Sequence, residues 1–253
     1  MKRLFVAVLF AAALPCLGEC ITQWGYANDS KGPDNWYRLG PPPPNDWHVC
    51  KDGIAQSPID INIANIPPGG LPELVFNNLQ TTSFKLYNKG QELKVEEVTP
   101  AWTLTWNGQV WTLQNFHFHV PAEHTYGGQR YAGEIHFVFE RGTQAVAVAV
   151  WIRQGTPANE TLRKILAVKP QSCQNPPGHS AEPIRMSDFL LSPRRYASYR
   201  GSLTTPSCSE NVTFVIQLAP ITATAAQIQS LKLLPQLPLG NARPLQRIKW
   251  RNP

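Results

Sequence analysis

Asn107-Gly108 sits between two alternating runs in TLTWNGQVWTL, and that dipeptide constrains the fold more than any other local feature. A two-residue hairpin of the favoured twist needs positive φ at both central residues, which Asn and Gly supply at little cost. EIHFVFE, AVAVAVWI and VTFVIQL read as further strands, the middle one apolar enough to be buried on both faces. Helical signals are few. NETLRKILAVK starts with Asn159 as its cap, while TAAQIQSLKLL carries a Thr224/Gln227 capping box and stops at Pro235. Proline-rich spots such as GPPPPN, NPPG and IPPGGLPE read as surface loops, and neither an internal repeat nor a long linker divides the chain. In 253 residues these signals describe one β-rich domain.

The opening MKRLFVAVLFAAALPCLGEC has a basic start, an apolar run from Leu4 to Leu14 and small residues at Cys16 and Gly18. That is the pattern of a signal peptide over residues 1–18, followed by a domain over 19–253; the apolar run is too short for a retained anchor. The remaining chain has no second run of spanning length, and its tail IKWRNP is polar, so no membrane anchor is evident and a secreted, extracellular protein is expected. Without residues 1–18, 21 basic residues face 17 acidic ones, and only SPRRYASYR is dense in charge. A nucleic-acid partner would call for a basic stripe with stacking aromatics, so the charge reads as an ordinary soluble surface. Cys20, Cys50, Cys173 and Cys208 allow three pairings in an oxidising compartment. Sequons at Asn28, Asn159 and Asn211 suit a secreted glycoprotein.

FHFHVPAEH, residues 116–124, places two histidines one residue apart. Strand residues two apart share a face about 7 Å apart, so Asn115, His117 and His119 form one row. Gly127-Gly128 then marks a turn into a strand bearing Glu134 and His136. A hairpin centred on that turn sets His119 opposite His136, with Cβ atoms about 5 Å apart. Structural histidines are the plain reading of H-x-H alone; a third one brought opposite by an independent turn signal favours a metal. Three neutral histidines with no fourth protein ligand suit a catalytic zinc ion, with Asn115 and Glu134 on the same face to hold the other ring nitrogens. HFHVPAE also satisfies the core of a cupin motif, but that motif's flanking glycines are missing and His136 follows too soon.

QSPIDI (Gln56 to Ile61), FHFH…EH, AGEIHFVF (Ala132 to Phe139) and GSLTTPSCSE (Gly201 to Glu210), with QWGY, GPDNW and NARPLQ in the same order, resemble the alpha-class carbonic anhydrases over about residues 22–250. The resemblance implies a mainly β (α+β) single domain around a large, twisted, mostly antiparallel sheet with a few short surface helices. It implies Zn2+ on His117, His119 and His136, and reversible hydration of carbon dioxide to bicarbonate and a proton by a metal-bound hydroxide. By matching, Thr204 accepts a hydrogen bond from that hydroxide and donates one to Glu123, and Thr205 is a second hydroxyl near the metal. Val138, Leu203 and the AVAVAV strand are implied to form the apolar wall for carbon dioxide, although core packing explains them as well. His124 is implied to be structural. Secreted relatives pair the cysteines matching Cys50 and Cys208, which leaves Cys20 and Cys173 to bridge each other or Cys173 free.

Three departures carry expectations. Gln91 stands where fast relatives have a histidine that ferries protons, and an amide does not titrate near neutrality. His48 and His179 are the spare histidines. Asn115 replaces a glutamine, and its shorter reach is expected to loosen His117. Phe214 replaces a tryptophan in the pocket wall. Some relatives with this fold are non-catalytic binding or matrix proteins, but those commonly lack a zinc histidine, and all three are present here.

Overall fold

A computed structural model describes residues 23–42, 47–62, 74–77, 81–170, 177–190, 195–233, 237, 239–247 and 249. Residues 1–18, Cys20, Cys173, Pro235 and most of the proline-rich stretches lie outside the described residues.

The described residues form a ten-stranded sheet and a small three-stranded one, flanked by short helices. In the large sheet, β3 (Ser83–Asn88), β4 (Leu93–Thr99), β6 (Gln109–His119), β9 (Gly133–Arg141), β10 (Gln144–Gln154), β13 (Val212–Ala223) and β12 (Tyr196–Gly201) lie side by side in that order. β11 (Gly178–His179) extends the edge beyond β3. Among the described residues, only the β10–β13 pairing in this sheet is parallel. β5 (Thr103–Trp106) pairs with the first half of β6 and with β2 (Leu74–Asn77). Asn107 and Gly108 join β5 to β6 with φ of 48° and 70°, as the opening dipeptide demands.

Each central strand divides its side chains between two cores. In β10, Val146, Val148, Val150 and Ile152 face the larger one, while Ala145, Ala147, Ala149 and Trp151 face the smaller. β9 does the same, with Ile135, Phe137 and Phe139 in the larger core. Along β6 the parity switches. Trp111 and Leu113 enter the larger core, but so do Phe116 and Phe118. A bulge between Leu113 and Asn115, opposite Phe139 and Val138, accommodates the switch. It turns residues 115, 117 and 119 onto the opposite face.

The expected register is corrected. His117, not His119, lies opposite His136, and His119 faces Glu134. The Gly127-Gly128 turn does form, pairing Tyr126 with Gln129, but inside a separate ribbon of β7 (Thr125–Tyr126) and β8 (Gln129–Arg130). β7 joins β1 (Asp60–Ile61) in the small sheet. Past Pro121 the ladder's register still holds, with Ala122 N–H donating to Tyr131 O at 3.3 Å. The two-residue slip falls at Glu123 and His124, whose N–H groups turn to Glu134 Oε2, so the turn's register is not passed on to β9.

The helices are α1 (Trp36–Leu39), α2 (Val49–Asp52), α3 (Glu160–Ala167) and α4 (Ala225–Leu233). Asn159 caps α3 by accepting from Leu162 N–H at 2.9 Å. Gln227 N–H donates to Thr224 Oγ1 at 3.3 Å and Gln227 Oε1 accepts from Thr224 N–H at 3.2 Å, closing the capping box of α4. The Gln227 side chain also exchanges two hydrogen bonds with the Asn159 backbone, so one residue fastens both helix starts. Among the described residues, no helix is long and apolar enough to cross a membrane.

Candidate metal centre

β6 and β9 bring His117, His119 and His136 together on the sheet's alanine-lined side, with one ligand nitrogen from each within 4.8 Å of the others. Ring centroids are 5.1 Å apart for His117 and His119, 5.4 Å for His117 and His136, and 4.6 Å for His119 and His136. His119 and His136 are buried, and His117 is partly open.

Each ring has one nitrogen engaged by an acceptor. His117 Nδ1 donates to Asn115 Oδ1 at 2.9 Å, so the short amide does reach the ring. His136 Nε2 donates to Glu134 Oε1 at 2.7 Å. His119 Nδ1 donates to the backbone carbonyl of Asn241 at 2.8 Å. An acceptor at one nitrogen fixes the proton there and leaves a lone pair on the other. The free nitrogens are therefore His117 Nε2, His119 Nε2 and His136 Nδ1. Among the described residues His119 Nε2 is buried without a hydrogen-bond partner, an arrangement that costs free energy unless something occupies the centre. Burial holds the His117 imidazole well below its ordinary range, with the His119, Lys94 and His136 charges adding to it. Burial also lowers His136, against partial compensation from Glu134. Both shifts favour the neutral form that a metal requires.

Asn241 escaped the sequence reading apart from its place in NARPLQ. Besides holding His119, its side chain donates to the carbonyls of Phe118 (2.8 Å) and Gln91 (3.0 Å), and its Oδ1 accepts from Val120 N–H at 2.8 Å. No local signal marks such a residue, because its partners lie more than a hundred positions away.

Glu134 is a hub. Its Oε1 meets His136 and His124 Nδ1, each at 2.7 Å, and its Oε2 accepts from the N–H groups of Glu123 and His124. Burial alone would raise its carboxyl, but the His124 and His136 contacts hold it well below the usual range. His124 Nε2 in turn meets the Tyr199 hydroxyl at 2.7 Å, and that hydroxyl donates to Ser57 Oγ at 2.8 Å. His124 is thus a fully paired buried residue that ties three segments together.

Glu123 is buried, with Oε1 accepting from Arg243 N–H at 2.9 Å. The hydrogen bond from Thr204 implied by resemblance is not formed. Glu123 Oε2 has no hydrogen-bond partner among the described residues and lies 3.5 Å from His119 Nε2 and 3.9 Å from His136 Nδ1. Thr204 is buried, and Thr205 is partly buried in the same loop. That loop is closed by Leu203 N–H to Ser209 O (3.0 Å) and Cys208 N–H to Thr205 O (2.8 Å). The disulfide between Cys50 and Cys208 fastens it to α2 across 158 residues. Arg243, buried and brought down to about 10 chiefly by burial, donates to Ser57 O and Cys50 O.

The wall beside the histidines is apolar. Ala147 lies between Val138 on β9 and Phe214 on β13, with Leu203 packed on the same cluster. Only the alanine face of the AVAVAV strand takes part; its valines point away. Phe214 stacks on Tyr199 and sits edge-on to His136. Gln91 Nε2 donates to Trp24 O at 2.6 Å. His48 lies beside Tyr37, and His179 is on the far edge of the sheet, with β3 and β4 between it and β6.

The model of the eukaryotic-type carbonic anhydrase family matches residues 31–252. A carbonic anhydrase of Nostoc sp. is 35% identical over 231 residues, covering 90% of this chain and 84% of that protein. One from Pectobacterium atrosepticum is 30% identical over 258 residues, covering 99% and 98%. Among solved structures, the alpha-carbonic anhydrase of Thermovibrio ammonificans in complex with the inhibitor sulfanilamide aligns with a TM-score of 0.80 and 31% identity, covering 89% of this chain and 95% of that one.

Proposed function

Since this chain belongs to the eukaryotic-type, or alpha, carbonic anhydrase family, enzymes of reversible carbon dioxide hydration, we propose that it carries out that reaction with zinc held by His117, His119 and His136. The observation that carries the reading is the orphaned, buried Nε2 of His119 beside two further unprotonated imidazole nitrogens. Three neutral nitrogen donors with no fourth protein ligand among the described residues suit zinc, a borderline-soft ion that keeps an open position in catalytic sites. Zinc bound there supplies a nucleophile at neutral pH by lowering the pKa of coordinated water to about 7.

The chain's own residues do the rest. Asn115, Asn241 and Glu134 fix which nitrogen of each ring is free, so the three lone pairs are aimed before any ion arrives. Val138, Ala147, Leu203 and Phe214 offer neutral carbon dioxide an apolar face and exclude water from it. Glu123 has one oxygen committed to Arg243 N–H and the other without a partner among the described residues; the Thr204 hydroxyl, which does not reach that oxygen in the structure, is proposed to donate to it once the site is loaded. A threonine whose proton is so committed would be left only as an acceptor towards a group held at the metal. Thr205 adds a second hydroxyl at the same mouth. Gln91, tied to Trp24, cannot relay the released proton, which must leave by buffer.

The disulfide fits an oxidising compartment, and with the opening 1–18 segment as a cleaved signal it supports a secreted domain over 19–253 that carries sugars at Asn28, Asn159 or Asn211. Stopped-flow carbon dioxide hydration by purified protein, before zinc removal, after it and after zinc return, tests the activity. Loss and recovery with zinc are expected; a zinc-replete protein without activity would shift the reading to a binding protein on this fold.

A further inference from the structure

β4 runs beside β6, and its residue opposite His117 is Lys94. Lys94 Nζ is 2.6 Å from Glu92 Oε1, and the other oxygen of that carboxylate lies 3.9 Å from His117 Nε2, the nitrogen assigned to the metal. Glu92 and Lys94 side chains are only 14% and 23% exposed, so the pair is partly shielded from solvent. Burial pulls the Lys94 ammonium down, yet Glu92, through charge and hydrogen bond, and Glu96 carry it above its ordinary value.

The backbone under the pair is fixed. Lys89 N–H donates to Glu92 O at 3.0 Å, Gly90 takes φ of 82°, and the neighbouring Gln91 carbonyl accepts from Asn241 Nδ2 at 3.0 Å. Asn241 also holds His119, so the turn bearing Glu92 and the metal ligands share one anchor. The backbone that carries Glu92 beside His117 is therefore anchored, and the carboxylate itself is held by Lys94 Nζ at 2.6 Å. Both charges reach the metal seat: Glu92 Oε2 lies 3.9 Å from His117 Nε2, and the Lys94 ammonium is close enough to act on the same ring.

We propose that the Glu92–Lys94 pair is a charge gate on the metal seat, with Glu92 weakening and Lys94 strengthening the binding of small anions there. The inference rests on the metal reading above. Carbon dioxide is neutral and feels little of the gate, whereas bicarbonate and inorganic inhibitory anions meet a fixed negative charge at the rim. Glu92 thereby favours release of the anionic product and lowers sensitivity to competing anions. Lys94 limits the effect, because its ammonium partly cancels the same field.

The test is thiocyanate binding to the zinc-loaded full chain, measured by isothermal titration calorimetry, with zinc content determined for every sample. A unit charge roughly 5 Å away in a partly shielded site, offset by its lysine, implies a shift of about tenfold. Glu92→Gln is expected to tighten thiocyanate binding by about that factor and Lys94→Gln to weaken it, with the double variant returning close to the parent. Zinc-replete variants with unchanged affinity, or both single variants shifting the same way, overturn the gate and leave the metal reading standing. A parent chain that takes up no zinc overturns the metal reading, and the gate with it. Should Glu92→Gln fail to fold, Lys94→Gln alone still decides the sign.

Discussion

Glu134 lies opposite His119 in the β6–β9 ladder, yet its carboxylate holds His136, two residues along its own strand, and His124 beyond. One side chain thus orients the His136 ring, pairs a buried imidazole and collects the N–H groups of Glu123 and His124. Removing it leaves several buried donors without an acceptor. Glu134→Ala is expected to cost about 3–5 kcal/mol of stability. The milder Glu134→Gln is expected to keep the fold while weakening zinc affinity by about 10–100-fold, read by chelator competition. Unchanged zinc affinity in a folded Glu134→Gln protein would contradict the assigned role.

Acid sensitivity of the metal-free protein follows from the same centre. His117 and His136 sit below their ordinary value of 6.5 in the fold, so between that value and their folded values the unfolded chain binds more protons. Stability then rises with pH through this window and falls as pH drops below 6.5. Glu134, held below its ordinary 4.5, adds stability that is present above that value and lost as pH falls through its folded one. Urea denaturation of the metal-free protein from about pH 8 to about pH 5 should show a plateau and then a decline. A His117→Gln/His136→Gln variant should flatten the upper part of that decline; an unchanged slope would reject the assignment.

The Cys50–Cys208 bridge closes a loop of 158 residues and secures the Thr204 segment. In the chain-entropy picture such a bridge is worth about 5 kcal/mol, so Cys50→Ser/Cys208→Ser is expected to lose about that much in denaturant titration. Activity should fall further than zinc content, because the loop and not the ligands is released.

How much of this could be read from the chain varies with the range of the interaction involved. Asn107-Gly108, the Asn159 cap and the Thr224/Gln227 box depend on neighbours within a few residues, and each formed where its local chemistry pointed. The three histidines were legible as a row plus an opposing strand. Their register was not: Gly127-Gly128 set the pairing of its own ribbon, while Glu123 and His124, turning their N–H groups to Glu134, put a two-residue slip between that ribbon and the ladder. A finer clue was present, since Trp111 and Leu113 give way to Phe116 and Phe118 and so change parity where the bulge falls. Asn241, Arg243 and Glu92 act through contacts made only by folding, which no spacing within the sequence announces.

Proton release should limit turnover, because Gln91 is an amide already donating to Trp24 O. Imidazole buffer is expected to raise kcat, and Gln91→His to raise it by roughly tenfold or more at low buffer while reducing the buffer dependence. A rate indifferent to buffer, with no gain from the histidine, would show that another group carries the proton.

X-ray absorption at the zinc edge of the loaded protein examines the shared ion itself. Three nitrogen neighbours at about 2.0–2.1 Å are expected, falling to two in His119→Ala. A spectrum with fewer than three nitrogens in the parent, or one unaltered by removing the His119 ring, would contradict the convergence on which the catalytic account depends.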